Sequence, residues 1–421
     1  MLYSNVTRQQ QVTSNGTILV WLPPPPQNTN TGKVDLKNQD IIMILSSPPK
    51  NPGFETAEAG CNALVTGSSG FAGARLVEML LERGAKTVIA FDIVTPDAVL
   101  QERFKDVQKK TGGKIITLSQ TEGDLCSDAA VDAAFQKVPK LDVVFHIAAL
   151  VGPFHKEKLY WDVNYHGTLR IIDGCKKYKV NKLVYSSSPS TRFTGGDVEG
   201  LSEDEMPIPD KFVALYAETK AKGEKAVSQA CSDTLLTVSV APHQLYGPYD
   251  TLFLPKLLEA AGSGKLRIFG KGQNKISLCH IDNYCVGLLC GADSLYRGSP
   301  TLSNFYVVTD DGPQYFWKTI NQAGVAMGFV DLETKFHLPV WLLYSVAYFC
   351  NFLTFLTGKQ FKLKPFTVKM LIIHRYFNIK NARRDLQYKP LISFDKGWPD
   401  TIEWFRINWL PDYKAMGAKE L

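Results

Sequence analysis

The chain has 421 residues, 45% of them hydrophobic and 21% charged, which is enough apolar material for one large α/β domain with a smaller second region and too much for a disordered protein. Its 47 basic and 41 acidic residues give a net charge of +6 without a long basic block, so nucleic acid is not expected as a partner. The eight cysteines form no C-x-x-C pair, and neither a zinc site, another metal centre nor a disulfide framework is expected.

Residues 1–60 contain Pro23 to Pro26 in a row and many Ser, Thr, Asn and Gln, a composition that predicts a mostly disordered segment. The pattern changes at Ala63, Leu64 and Val65, a short apolar run that fits a buried parallel strand. Gly67-x-x-Gly70-x-x-Gly73 then breaks the run, and Leu76, Val77, Leu80 and Leu81 follow at helical spacing. The positive end of that helix faces the glycine turn, where a pyrophosphate fits. A second apolar run, Val88 to Phe91, ends in Asp92. This acid lies about 20 residues past the last glycine, where dinucleotide-binding folds place a partner for the ribose hydroxyls. The combination predicts NAD rather than NADP.

Strand and helix patterns keep alternating, with strands expected at Ile115 to Leu118, Val143 to Ile147, Leu183 to Ser186 and Leu236 to Val240. The fold predicted is α/β, a Rossmann-type doubly wound parallel sheet. Asp124 can bond an adenine edge or cap the helix after Cys126. His146 reads as a residue beside the cofactor or as a core histidine. Ala148 and Ala149 leave room for a cofactor against the sheet. A helix is expected around Val163 to Cys175, starting near Asn164.

Three Y-x-x-x-K patterns occur: Tyr178 with Lys182, Tyr216 with Lys220, and Tyr376 with Lys380. A tyrosine and lysine four apart share one helix face and can move a proton while hydride moves to or from nicotinamide. Ligands in open α/β sheets bind beyond the carboxyl ends of strands, which favours Tyr216, since it follows the serine run Ser186-Ser187-Ser188. Tyr178 precedes its strand and belongs to the opposite edge. Lowering a phenol from a pKa near 10 to about 7 takes roughly 4 kcal/mol. Lys220 and oxidised nicotinamide are expected to supply it, with Ser188 holding the substrate oxygen beside Tyr216.

No charged residue occurs from Leu338 to Gly358, and Lys359, Lys362 and Lys364 follow. About 20 such residues can span a bilayer. The segment 340–357 is therefore expected to associate with membrane lipid, spanning or monotopic, the alternative being a helix packed over the substrate pocket. The organisation expected is residues 1–60, a dinucleotide-binding domain with substrate-pocket elements over 61–335, and a C-terminal region over 336–421.

The segments TGSSGFAG, GDLCS, VFHIAA, VNYHGT, LVYSSS, YAETKAKGEKAV, APHQLYGPYD and HIDNYCVG, from Ala63 to Gly287, resemble the extended short-chain dehydrogenase/reductases, most of all the 3β-hydroxysteroid dehydrogenase branch. The resemblance implies Tyr216 as acid/base, Lys220 as its partner and a cofactor contact, and Ser188 as donor to the substrate oxygen, with Ser187 and Ser190 as alternatives. It implies Gly67, Gly70, Phe71 and Gly73 at the pyrophosphate, Asp92 at the ribose, Asp124 and Leu125 near adenine, and Ala148, Pro242 and His243 toward the nicotinamide. The family usually carries Arg where this chain has Ala241 and Tyr249.

Also implied are a sterol or steroid substrate, NAD-dependent oxidation of its 3-hydroxyl, and attachment to the endoplasmic reticulum with the catalytic domain facing the cytosol. A neighbouring carboxylate would leave as carbon dioxide, and His243 is the candidate to recognise it. Rival readings are a 3β-hydroxysteroid dehydrogenase with or without double-bond isomerisation, a sugar-nucleotide epimerase and a non-catalytic NAD-binding membrane scaffold. A homodimer stays open.

Overall fold

A computed structural model describes residues 60–152, 155–357 and 363–417; the disorder expected for residues 1–59 lies outside the described residues. The main sheet has seven strands: β1 (Asn62–Thr66), β2 (Thr87–Phe91), β3 (Lys114–Leu118), β4 (Val143–His146), β5 (Lys182–Ser186), β6 (Leu236–Pro242) and β7 (Phe305–Val308). They pair in parallel in the order β7-β6-β5-β4-β1-β2-β3. The chain winds outward from β1 to β3 and then returns to β4, so a crevice opens between the carboxyl ends of β1 and β4.

Alternate side chains of each strand enter different cores, as the two-residue period requires. Ala63, Val65, Val88 and Ala90 pack with α1 (Phe71–Glu82), α2 (Ala98–Thr111) and a later helix, Ile281–Asp293. Leu64, Ile89 and Phe91 face the other way, against α3 (Asp128–Phe135), α4 (Gly167–Lys177) and α5 (Leu215–Ala230). The helix Ile281–Asp293 is α6 below. Local signals set the boundaries: Asp97 accepts from the Leu100 amide at 2.8 Å to start α2, and Gly112 ends it with φ +75°.

The expected strands are all present, each longer by a residue or two or differing by one at its end. The helix expected from Asn164 starts earlier, at Glu157–Tyr160, and continues through a π-helical turn, Trp161–His166, into α4. Asn164 is therefore inside the turn rather than at its start, because its side chain is spent on the Leu150 backbone, accepting at 2.8 Å and donating at 3.1 Å. Beyond the main sheet, a four-stranded sheet joins Gln314–Tyr315, Lys275–Ile276, Arg375–Phe377 and Val198–Leu201 in that order. These strands of two to four residues are too short to leave a periodic signal.

The apolar segment is one helix, α7 (Val340–Thr357). Only Leu343 and Ala347 are buried, against Val368 of the short helix Pro365–Met370. Trp341, Tyr348, Phe349, Phe352 and Leu356 are exposed, and Phe355 reaches 85% exposure.

Candidate active site

The glycine turn closes by backbone contact. Gly67 has φ +76°, and a Cβ there would lie 2.8 Å from the Ala148 nitrogen; one on Gly73 would lie 2.1 Å from the Gly67 carbonyl oxygen. The exit of β1, the start of α1 and the loop after β4 thus share one small space that any side chain would fill. Gly70 caps α1 without a side-chain hydrogen bond, and no acid stands in the first turn, so the helix keeps its amides and positive end for an anion. Phe71 is half-buried at the first helical position.

Asp92 follows β2, and its carboxylate accepts from the Ser69 and Val94 amides at 2.9 Å each. Burial pushes its pKa up, and these amides oppose the shift. The acid is thereby fixed beside the glycine turn with acceptor capacity to spare. This cradle fits a dinucleotide: backbone donors for its phosphates and an oriented carboxylate for a ribose. Asp124 is half-buried and accepts from the Cys126 amide at 2.8 Å. It does not cap α3. Ser127 does, accepting from the Ala130 amide, because the helix starts three residues later than Asp124 can reach. Leu125 is buried against Gly167 at the start of α4.

His146 is a core residue, fully buried between Thr66 Oγ1 at 2.7 Å and Thr168 Oγ1 at 3.0 Å. Burial, helped by the Lys220 charge, holds its pKa down at about 3, so it stays neutral. Thr66 Oγ1 also accepts from the Ile147 and Ala148 amides at 3.1 Å, which sets Ala148 against the glycine turn.

The helix α5 places Tyr216, Lys220 and Glu224 one turn apart on one face. The Ser188 hydroxyl acts on the Tyr216 phenol, and Ser188 Oγ lies 2.7 Å from Ser190 Oγ. Lys220 is buried; its Nζ donates to the Ser186 carbonyl at 2.5 Å and sits 4.1 Å from the Tyr185 ring centre. Glu224 forms a buried pair with Arg192, accepting from its two terminal nitrogens at 2.6 and 2.9 Å, and it also accepts from Ser187 Oγ. Asn164 donates to Thr219 Oγ1 at 3.2 Å and so ties the π-helical turn to α5.

Here the electrostatics differ from expectation. Burial raises the Tyr216 phenol pKa, with only the Ser188 hydrogen bond opposing it, whereas the Lys220 pKa falls to about 7 because burial outweighs the attraction of Glu224. The lysine is engaged with the strand carbonyl rather than with the phenol. The other Y-x-x-x-K pairs are structural. Tyr178 donates to Asp132 at 2.7 Å on the opposite edge, and Tyr376 lies in a strand while Lys380 opens a helix.

Pro242 ends β6, and His243 beyond it is buried, its Nδ1 2.8 Å from the Ser277 carbonyl and its ring 4.9 Å from that of Phe377. Burial, followed by the Arg375 charge, takes its pKa down to about 3. With Nδ1 donating to the Ser277 carbonyl, a neutral His243 is left with an acceptor at Nε2. Ala241 is buried in β6, and Arg192, the partner of Glu224, stacks 3.4 Å from the Phe305 ring centre. Sequence reading missed Arg192, Glu224 and Tyr284, whose hydroxyl donates to Ser186 Oγ at 2.6 Å.

Residues 64–339 match the model of the 3-beta hydroxysteroid dehydrogenase/isomerase family. A sterol-4-alpha-carboxylate 3-dehydrogenase (decarboxylating) of Homo sapiens is 31% identical over 349 residues, which cover 81% of this chain and 87% of that protein. A 2-alkyl-3-oxoalkanoate reductase of Stenotrophomonas maltophilia is 31% identical, over 79% of this chain and 96% of the reductase. The structure of dTDP-glucose 4,6-dehydratase from Bacillus anthracis in complex with NAD has a TM-score of 0.60 to this chain at 19% identity, over 84% of this chain and 100% of that one, which shows the shared fold. The chain belongs to the 3-beta hydroxysteroid dehydrogenase/isomerase family and is an NAD-dependent oxidoreductase.

Proposed function

We propose that the protein oxidises the 3β-hydroxyl of a sterol that carries a carboxylate on the adjacent carbon 4, and that carbon dioxide leaves as a consequence. The observation that carries this reading is the convergence of Ser188 and Tyr216 at the carboxyl edge of the sheet, where the serine hydroxyl lowers the phenol pKa against burial, with Lys220 fixed on the strand beside them. The human relative's name supports the substrate.

NAD, when bound, accepts hydride from carbon 3 and adds positive charge that favours the phenolate. Gly67, Gly70, Phe71 and Gly73 hold its phosphates, Asp92 its ribose, Asp124 and Leu125 its adenine end, and Ala148, Lys220, Pro242 and His243 the rest of the cleft. Ser188 donates to the substrate oxygen, and Tyr216 takes the hydroxyl proton. Lys220 steadies the Ser186 carbonyl and so the serine turn. Once carbon 3 is a ketone, the bond from carbon 4 to the carboxyl carbon breaks, its electron pair enters the enolate, and a proton restores the ketone.

The same proposal puts the exposed aromatic side of α7 in the cytosolic leaflet of the endoplasmic reticulum. Its support is 18 uncharged residues with two buried, followed by Lys364. Membrane sedimentation of the chain lacking residues 340–357 tests the anchor; pelleting unchanged after alkaline washing sinks it.

The reaction is tested with purified protein, a 4α-carboxysterol and NAD, following NADH and carbon dioxide together. One carbon dioxide per NADH is expected. Equal rates on a plain 3β-hydroxysteroid without carbon dioxide would instead support the hydroxysteroid dehydrogenase reading.

A further inference from the structure

Arg375 opens the strand Arg375–Phe377, which lies between Lys275–Ile276 and Val198–Leu201 in the small sheet. Its guanidinium donates once, from Nη2 to the Met370 carbonyl at 3.1 Å. Its Nε is buried with no hydrogen-bond partner, and no carboxylate pairs with it among the described residues. Of the other half-buried arginines, Arg75, Arg83, Arg103, Arg170 and Arg192 have acids, and Arg267 has the Gly264 and Leu266 carbonyls. A buried donor left open on a charged group is costly unless something else fills it.

Position says what fills it. Phe377 lies two residues beyond Arg375, past a register shift in the pairing with Val198–Leu201, and its ring lies against His243 just past the carboxyl end of β6. The Arg375 charge is felt at His243. The strand Val198–Leu201 beside it belongs to the segment that joins Ser188 to Tyr216. Arg375 is linked through Ser277 to His243 in the loop that follows β6: the Ser277 amide donates to the Arg375 carbonyl at 2.9 Å, and the Ser277 carbonyl lies 2.8 Å from His243 Nδ1. Guanidinium offers a planar pair of donors suited to a carboxylate.

We infer that Arg375, rather than His243, recognises the carboxylate of the substrate. This rests on the sterol reading above. The anion bonds Nε, pairs with the guanidinium and orients the carbon to be oxidised toward Tyr216. Arg375 is thus a specificity-determining residue: it discriminates a carboxylated sterol from its plain counterpart.

The test compares wild type, Arg375→Gln and Arg375→Lys on a 4-carboxysterol and on the same sterol without the carboxyl. Arg375→Gln should lose roughly tenfold to a hundredfold in kcat/KM on the acid, mainly through KM, and stay within about twofold on the plain sterol. Arg375→Lys should fall between them. Equal losses on both substrates would overturn the proposal in favour of a purely structural arginine.

A second arm needs no turnover: equilibrium binding of a steroid acid lacking a 3-hydroxyl, against its methyl ester. Wild type should prefer the acid by about tenfold or more, and Arg375→Gln should not. Absence of that preference in wild type overturns the proposal even if sterols are oxidised. A preference that persists in a protein that oxidises no sterol supports the arginine's role and sinks the proposed reaction instead. Arg375-dependent binding of dTDP-glucose without any steroid-acid preference would overturn the carboxylate in favour of a phosphate.

Discussion

The catalytic edge of the main sheet and the small four-stranded sheet treat their buried polar groups differently. At the edge proposed for catalysis three buried ionisable groups are bonded to neighbours: His146 to Thr66 and Thr168, Lys220 to the Ser186 carbonyl, Glu224 to Arg192 and Ser187. In the small sheet Arg375 keeps an open donor, and His243 beside it is neutral. Proton transfer needs one fixed geometry, so its surroundings are fully satisfied before substrate arrives. On the proposal above, the unpaired Arg375 donor is completed only when the carboxylate of the substrate is present.

Substitutions on the two sides should therefore fail differently. The largest effect is expected for Tyr216→Phe, with turnover falling about 10²- to 10⁴-fold or more on every substrate while NAD binding, read by fluorescence titration, is kept. Retained turnover would remove Tyr216 from the proton step. Arg192→Ala leaves Glu224 buried and unpaired; denaturant unfolding should show a loss of about 3–5 kcal/mol. A change below about 1 kcal/mol would mean that the pair is not a fixed part of the catalytic edge. Asp92→Ala should shift the NAD-to-NADP ratio of kcat/KM toward NADP, and a wild type that already prefers NADP would refute the assignment.

The smallest effect is one of pH. Lys220 falls from an ordinary 10.5 to about 7 on folding, so between those values the unfolded chain binds a proton that the folded one does not. Stability of the cofactor-free protein should therefore rise with pH from about 7 toward 10, and the rise should shrink in Lys220→Met. His146 and His243, both held at about 3, act in the same sense at lower pH: stability should fall as pH drops below about 6.5. Unfolding midpoints across pH would check both windows.

Sequence reading was strongest where one element carries the whole signal. The apolar runs of β1 and β2, the glycine turn and the four-residue step from Tyr216 to Lys220 are local patterns, and each corresponds to an observed element. Spacing fixes a helix face but not the atom a long side chain reaches, which is why Lys220 was expected at the phenol and is found on a strand carbonyl. Glu224 depends on an arginine 32 residues away in a 3₁₀ turn. The small sheet draws on residues from Val198 to Phe377 in strands of two to four residues, so its open donor could not be seen before the chain was folded.

The run Ser186-Ser187-Ser188 shows how much depends on registration. Ser186 receives the Tyr284 hydroxyl of α6, Ser187 turns to Glu224 of α5, and Ser188 meets Tyr216. Three identical residues hold three different posts, because Ser186 still lies in β5 and faces α6, while Ser187 and Ser188 lie past its end and meet α5 at Glu224 and Tyr216, about two turns apart. Inserting or deleting one serine would leave the composition almost unchanged, yet it would hand each hydroxyl its neighbour's task. Alanine replacements along the run should accordingly separate: loosened packing of α6 from the first, a weakened Arg192–Glu224 cluster from the second, and slowed chemistry from the third.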